Sequence, residues 1–349
     1  FQNLRWLIDC FNRNYHILVG SNKIKRNLSR SCEEIIEEKV GVSLHDFCKI
    51  LIVLSGIGKK MQEPLACKSI ELLGIKQDDF NKVINYYSTD YDEVRKSKLG
   101  AKIFYLKPFV RTKYPKHVLA VTYHQVSFLI ANGLYWVIRN YYYEAGTQEF
   151  VNAFGEMFED YLSEFSKKYL TSKEFQRLEH KDSKIADFRF EFEDCIILIE
   201  QKSALLSLNA KSQTPNMTNI KQFLNRNIAE AYGQLEATYK RESSTKPILK
   251  FILLYEHLEN AQLVQAGMPE IFEKDSMCYV VGIAEFEQIL KIRKEDYELW
   301  KKLLKKLLSR EKANVAVTNI LRDLEGFNYS SIFKEAYDYL QKYLDEMGI

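Results

Sequence analysis

Proline and glycine are scarce, 6 and 14 in 349 residues. Both residues serve turns and interrupt regular elements, so their scarcity argues against a loop-rich fold and for long helices with a few strands. Long apolar runs are missing too. The longest, ILIVLSGIG at 50–58, falls far short of the roughly 20 residues a membrane-crossing helix needs, and no stretch reads as a signal peptide. No charge of one sign dominates. With 50 basic and 47 acidic side chains the net charge is +3, so any surface for nucleic acid must be local. The six cysteines (Cys10, Cys32, Cys48, Cys67, Cys195 and Cys278) are scattered without a C-x-x-C pair. That pattern excludes an obvious zinc cluster and suits reduced thiols in a cytoplasmic protein. The histidines show no ligand spacing. SGIGKK at 55–60 is no phosphate-binding loop, because Val53 and Lys60 stand where that motif needs Gly and Ser or Thr.

What is present is aromatic and ordinarily globular: 22 Tyr, 21 Phe, 46% hydrophobic and 28% charged residues. The length allows two domains, or one large core with appendages. Residues 1–98 read as a helical N-terminal region. CEEIIEEKV, LHDFCKILIVLSGI and KQDDFNKVINYYS repeat apolar positions at three- and four-residue spacing. Within 99–146, AKIFYL and HVLAVTY read as two strands around the basic loop KPFVRTKYPK. QVSFLIANGLYWVIRNYYY reads as a long connecting helix. In that loop Lys107, Arg111, Lys113 and Lys116 stand among Phe109 and Tyr114, a mixture suited to phosphate contacts.

The pattern changes at 147. TQEFVNAFGEMFEDYLSEFSKKYL opens on Thr147 as an N-cap and carries an apolar stripe of Phe150, Phe154, Phe158, Leu162 and Phe165. Two short strands follow, IADFRFEF and CIILIEQK, joined at the tight turn EFED, then the helix NIKQFLNRNIAEAYGQLEATYKR. PILKFILLY and MCYVVGI read as central strands, and AEFEQIL begins another helix. Residues 291–349 read as a charged helical tail. Its ELWKKLLKKLLSREK sets leucines on one stripe and lysines on another, a packed helix with a solvated face.

One strand end poses a chemical question. CIILI is apolar on both faces, yet it runs straight into Glu200 and Lys202, with Asp187 upstream. Buried strands rarely end on charged groups unless those groups pair or hold something. The interval from Asp187 to Glu200 spans two strands and a tight turn, which brings the two carboxylates together. Alternation puts Glu200 and Lys202 on one face and Gln201 on the other. Converging carboxylates repel, and a hard cation such as Mg²⁺ relieves that repulsion while keeping waters and phosphate oxygens as further ligands. A neighbouring lysine can orient or deprotonate a water, so the set suits phosphodiester hydrolysis. The bland alternative is a surface hairpin with a Glu200–Lys202 ion pair of little energetic worth. That alternative needs a polar strand face, which CIILI lacks.

Asp187 followed by Glu200-Gln201-Lys202 at the end of an apolar strand resembles the PD-(D/E)XK nuclease superfamily. The resemblance covers about 140 of the 349 residues and leaves the N-terminal third aside. It implies an α/β fold with a restriction-endonuclease-like core, αβββαβ, whose mixed sheet is flanked by helices, over 147–290. It implies Mg²⁺, with Mn²⁺ as substitute, held by Asp187, Glu200 and the main-chain carbonyl of Gln201, with Lys202 assisting the water. FGEMFEDYL is similar to the family's first-helix setting and offers Glu159 as a further metal ligand, one turn after Gly155. YGQLEATY resembles the RecB-type helix and offers Gln234 and Tyr239, with one residue more between them than is usual. The family's Pro is Ala186 here. The resemblance further implies DNA cleavage in a defence, restriction or DNA-processing setting, and a protein partner or oligomer through the N-terminal helices. A non-catalytic module that binds nucleic acid or a protein is the alternative, which retention of all three motif residues disfavours.

Overall fold

A computed structural model describes residues 2–57, 65–66, 70–97, 99–114, 117–179, 185–205, 217–255, 261–309, 315–330 and 338–348. Contacts divide the chain into two units, Phe1–Ala153 with Phe333–Ile349, and Phe154–Ile332. Among the described residues no helix is long and apolar enough to cross a membrane.

The first unit is built from α1 (Gln2–Tyr15), α2 (Cys32–Val40), α3 (Leu44–Ile57), β1 (Leu65–Ala66), α4 (Gln77–Tyr86), β2 (Ser88–Thr89), α5 (Tyr91–Lys96), β3 (Phe109–Arg111), β4 (His117–Ala120) and α6 (Tyr123–Glu144). α2 starts on a full capping box: the Ser31 hydroxyl accepts from the Glu34 N–H while the Glu34 carboxylate accepts from the Ser31 N–H. It stops at Gly41, whose φ of 80° is left-handed and suits glycine. α6 is the pillar of the unit, with α1 and α3 packed on it and Val126, Leu129, Leu134 and Ile138 buried. The sheet runs β1-β4-β3-β2, antiparallel except for β2 with β3.

Here the structure departs from the sequence expectation. AKIFYL is not a strand: Gly100–Tyr105 winds as a 3-10 helix, whose end is bonded locally, Leu106 N–H to Ile103 O at 3.0 Å. The strand lies inside the basic segment, where Phe109 and Val110 are buried and pair with β2 on one side and β4 on the other. Neighbouring edges on both sides decide which apolar run extends, and sequence periodicity carries no trace of them.

The division between units falls within α7 (Glu149–Tyr169). The Thr147 hydroxyl accepts from the Glu149 N–H at 3.4 Å, and the whole phenylalanine stripe of α7 is buried. The second unit continues with β5 (Phe175–Arg177), β6 (Phe188–Glu191), β7 (Ile196–Lys202), α8 (Met217–Leu224), α9 (Glu230–Tyr239) and β8 (Ile248–Leu254). Then come α10 (Ala261–Ala266), α11 (Pro269–Phe272), β9 (Cys278–Gly282), α12 (Ile283–Glu295), α13 (Tyr297–Leu308) and α14 (Val317–Arg322). A π-type turn, Asn225–Ala229, joins α8 to α9. The last helix, α15 (Tyr339–Met347), belongs to the first unit.

Both sheets are mixed, and the chain is an α/β protein. The second sheet has the order β5-β6-β7-β8-β9, antiparallel from β5 to β7 and parallel from β7 to β9. β7 is its middle strand, which is why CIILI must be apolar on both faces. Ile196 and Leu198 pack with Ile228, Ala231 and Leu235 of the α8–α9 helix and with Ile252 and Leu254 of β8. On the remaining elements, Phe154 and Phe158 of α7 meet the ring of Tyr255 edge-on at 4.8 and 5.1 Å, and Phe190 packs against Phe286 of α12 at 5.9 Å. Two details correct the sequence reading. MCYVVGI, expected as a central strand, ends the sheet order; it is apolar because α10, α11, α12 and α14 cover it. The third strand that the resemblance implies is β5, which the residues did not reveal because it is short and mostly polar; the short helices α10 and α11 were not anticipated.

Candidate active site

The β6–β7 hairpin places the first two residues of interest. Its tip is Glu193–Asp194, with the Phe192 N–H donating to Cys195 O at 2.8 Å. From there the register runs Phe190↔Ile197 and Phe188↔Ile199. The ladder ends there, and Asp187 is joined to β7 by hydrogen bonds of its own. The Asp187 N–H donates to Ile199 O at 3.0 Å, and the Leu178 N–H donates to Asp187 O at 2.8 Å. The Asp187 side chain then acts as a substitute backbone: its Oδ2 accepts from the Gln201 N–H at 2.7 Å.

Glu200 is 2% exposed and Asp187 6%, values that demand compensation for two buried carboxylates. Lys202 supplies part of it. Its Nζ donates to Glu200 Oε1 at 2.7 Å and to Gln234 Oε1 at 3.1 Å. Gln234 is itself oriented by its Nε2, which donates to Ile185 O at 3.4 Å, and by helix α9. One turn on, the Thr238 hydroxyl donates to Gln234 O at 2.9 Å and accepts from the Ala186 N–H at 2.7 Å. The side chains of Asp187, Glu200, Lys202 and Gln234 therefore meet at the C-terminal end of the middle strand, held by the hairpin and by α9.

Compensation is incomplete. Glu200 Oε2 is buried and finds no hydrogen-bond partner among the described residues. Burial first, then the negative charge of Asp187, pushes the Glu200 carboxyl up to about 8, with Lys202 opposing the rise and Glu159 adding to it. Lys202 alone therefore does not neutralise the Glu200 carboxyl. Two carboxylates, one with an orphaned buried oxygen, fit a hard divalent cation that completes its shell with water and phosphate oxygens. Among the described residues no group of three His, Cys, Asp or Glu side chains forms a preassembled cage.

The remaining candidates lie elsewhere or are otherwise engaged. Glu159 is on α7, where its Oε1 accepts from Arg177 Nε at 2.7 Å; Asp160 Oδ1 accepts from Arg177 Nη1 at 3.0 Å. The ring of Tyr239 lies 4.3 Å from Lys250 Nζ, an ammonium in β8 that also holds Glu236 and, at 2.6 Å, Asp275. In the first unit Lys107 is 3.6 Å from Glu93 and Arg111 is 3.5 Å from Asp90, while Lys113 rests over the Tyr114 ring at 5.3 Å. Lys116 lies outside the described residues. Two residues of the site went unread in the sequence. Thr238 ties α9 to the hairpin, and Arg177 holds Glu159; neither has a spacing signal, because both act across elements distant in the chain.

No family model, curated protein or solved structure matches the chain.

Proposed function

We propose that the protein is a metal-dependent nuclease that hydrolyses DNA phosphodiester bonds, its second unit built on a restriction-endonuclease-like core. The observation that carries this reading is the buried Glu200 Oε2, without a partner among the described residues, beside Asp187 and Lys202. The order of α7, three strands, the α8–α9 helix and β8 supports it, since that is the order the family resemblance implies.

In this reading Asp187 and Glu200 would hold Mg²⁺ with the main-chain carbonyl of Gln201, and Gln201 is oriented by its own N–H on Asp187. The bound cation would neutralise phosphate charge and acidify a water. Lys202, aimed by Glu200 and Gln234, positions the attacking water and stabilises negative charge as it develops. Choice of DNA, and a role in defence, restriction or DNA processing, rest on the resemblance.

The test uses the purified full chain on plasmid, linear DNA and RNA with Mn²⁺, Mg²⁺ or EDTA, alongside a cation titration. Cutting that requires a cation and is lost in Asp187→Ala is expected. A folded chain that binds no divalent cation and cuts nothing would overturn the reading and leave a binding module.

A further inference from the structure

Arg177 joins two parts of the molecule that the proposed chemistry does not use. It sits on β5, in register with Phe188, the residue after Asp187. Its guanidinium grips Glu159 and Asp160 of α7 at 2.7 and 3.0 Å. α7 passes beside the end of the middle strand: a Cβ added at Gly155 would lie 3.5 Å from the hydroxyl of Ser203, the residue after Lys202. Glu159 follows one turn later on the same face of α7. A carboxylate thus stands beside the cation site and is committed to an arginine instead.

We propose that Arg177 is a latch that holds Glu159 off the cation site, and that a phosphodiester opens it by taking the guanidinium. The proposal rests on the cation-site reading above. The Arg177 side chain is 44% exposed and that of Glu159 15%, so the guanidinium is within reach of solutes while the carboxylate it holds is largely covered. A guanidinium fork matches phosphate oxygens as well as it matches a carboxylate. Releasing Glu159 adds a third carboxylate to Asp187 and Glu200, and ligand charge sets the affinity of a hard-cation site. Phosphate and cation then strengthen one another's binding, because coupling between two ligands is reciprocal. Arg177 in this scheme is a positioning residue acting through Glu159.

Mn²⁺ alone, titrated calorimetrically into the full chain, tests the latch. Arg177→Gln should bind Mn²⁺ roughly tenfold or more tightly than wild type, within the usual range of coupling between sites. Arg177→Gln combined with Glu159→Gln should return to the wild-type value, and Glu159→Gln alone should leave it unchanged. Dimethyl phosphate should tighten Mn²⁺ binding to wild type and not to Arg177→Gln. Arg177→Lys, which keeps the charge and loses the fork, should fall between wild type and Arg177→Gln and serves if Arg177→Gln does not fold. Equal or weaker Mn²⁺ binding in the folded Arg177 variant, with the wild-type site intact and lost in Asp187→Ala, overturns the latch alone. No Asp187-dependent Mn²⁺ binding in wild type overturns the cation site and the latch together.

Discussion

Glu200 is where burial, charge and chemistry meet on one side chain. In the unfolded chain its proton leaves near pH ~4.3; in the folded protein burial and Asp187 move that release to about 8. Between those values the folded state holds a proton that the unfolded state has lost. Stability of the cation-free protein should therefore fall as pH rises through that window, by up to about 1.4 kcal/mol per pH unit, and level off above it. Denaturant melts in EDTA at pH 5, 6.5 and 8 would measure the slope, and Glu200→Gln should flatten it; parallel wild-type and variant curves would show that Glu200 does not titrate there. Lys202 has a different signature. Lys202→Ala leaves both carboxylates in place, so DNA affinity, which rests on distributed phosphate contacts, should persist while cleavage falls roughly 10²–10³-fold or more. Asp187→Ala should abolish cutting by changing the cation titration. Circular dichroism comes first, because removing one partner of a buried ion pair can unfold a domain. A folded Lys202→Ala that cuts at the wild-type rate would reduce Lys202 to a structural lysine.

At the scale of elements, the sheet and its caps determine whether the site exists. Leu198 is fully buried in the middle strand, with α9 on its face. Leu198→Ala should cost about 2–5 kcal/mol through lost burial and the cavity left behind, and it should loosen Glu200 and Lys202 two and four residues on. Chemical denaturation gives the first number; the cation titration shows whether the strand end has shifted. The capping box of α2 offers a comparison remote from any chemistry. Ser31→Ala removes the hydroxyl that accepts from the Glu34 N–H and should cost about 1 kcal/mol, with no change in cation binding. A change there would mean that the N-terminal helices act on the site.

For the whole molecule, the two units make distinct expectations about cooperativity. The first unit is closed by α15. Tyr343 is 4% exposed, with Phe11 and Tyr15 edge-on at 6.0 Å, and the Leu340 N–H donates to Asn12 Oδ1 at 2.9 Å. Tyr343→Ala should lose about 3–5 kcal/mol, the usual cost of truncating a buried aromatic. Amide exchange should quicken in α1 and α6 and stay slow in β7 and β8. Equal acceleration in both sheets would show that the units unfold as one.

The candidate site was largely legible along the chain because its residues are local to one hairpin. Asp187, Glu200 and Lys202 are set by a turn and a period of two, and strand alternation needs no tertiary knowledge. The phenylalanine stripe of α7 and the apolar middle strand were legible for the same reason: burial imprints its periodicity on composition. Other features depended on what folds beside them. AKIFYL is as apolar as a strand, but the available edges went to Phe109–Arg111. β9 is as apolar as an interior strand, yet it ends the sheet order, covered by α10, α11, α12 and α14. Glu159 shares its helix with Glu156 and Asp160, and only the arrival of Arg177 from β5 determines its partner. Gln234 reaches Lys202, while Tyr239, five residues later, turns to Lys250. A sequence determines its local periods and turns by itself; the partner of a charged side chain is decided by whichever distant element the fold brings within about 3 Å.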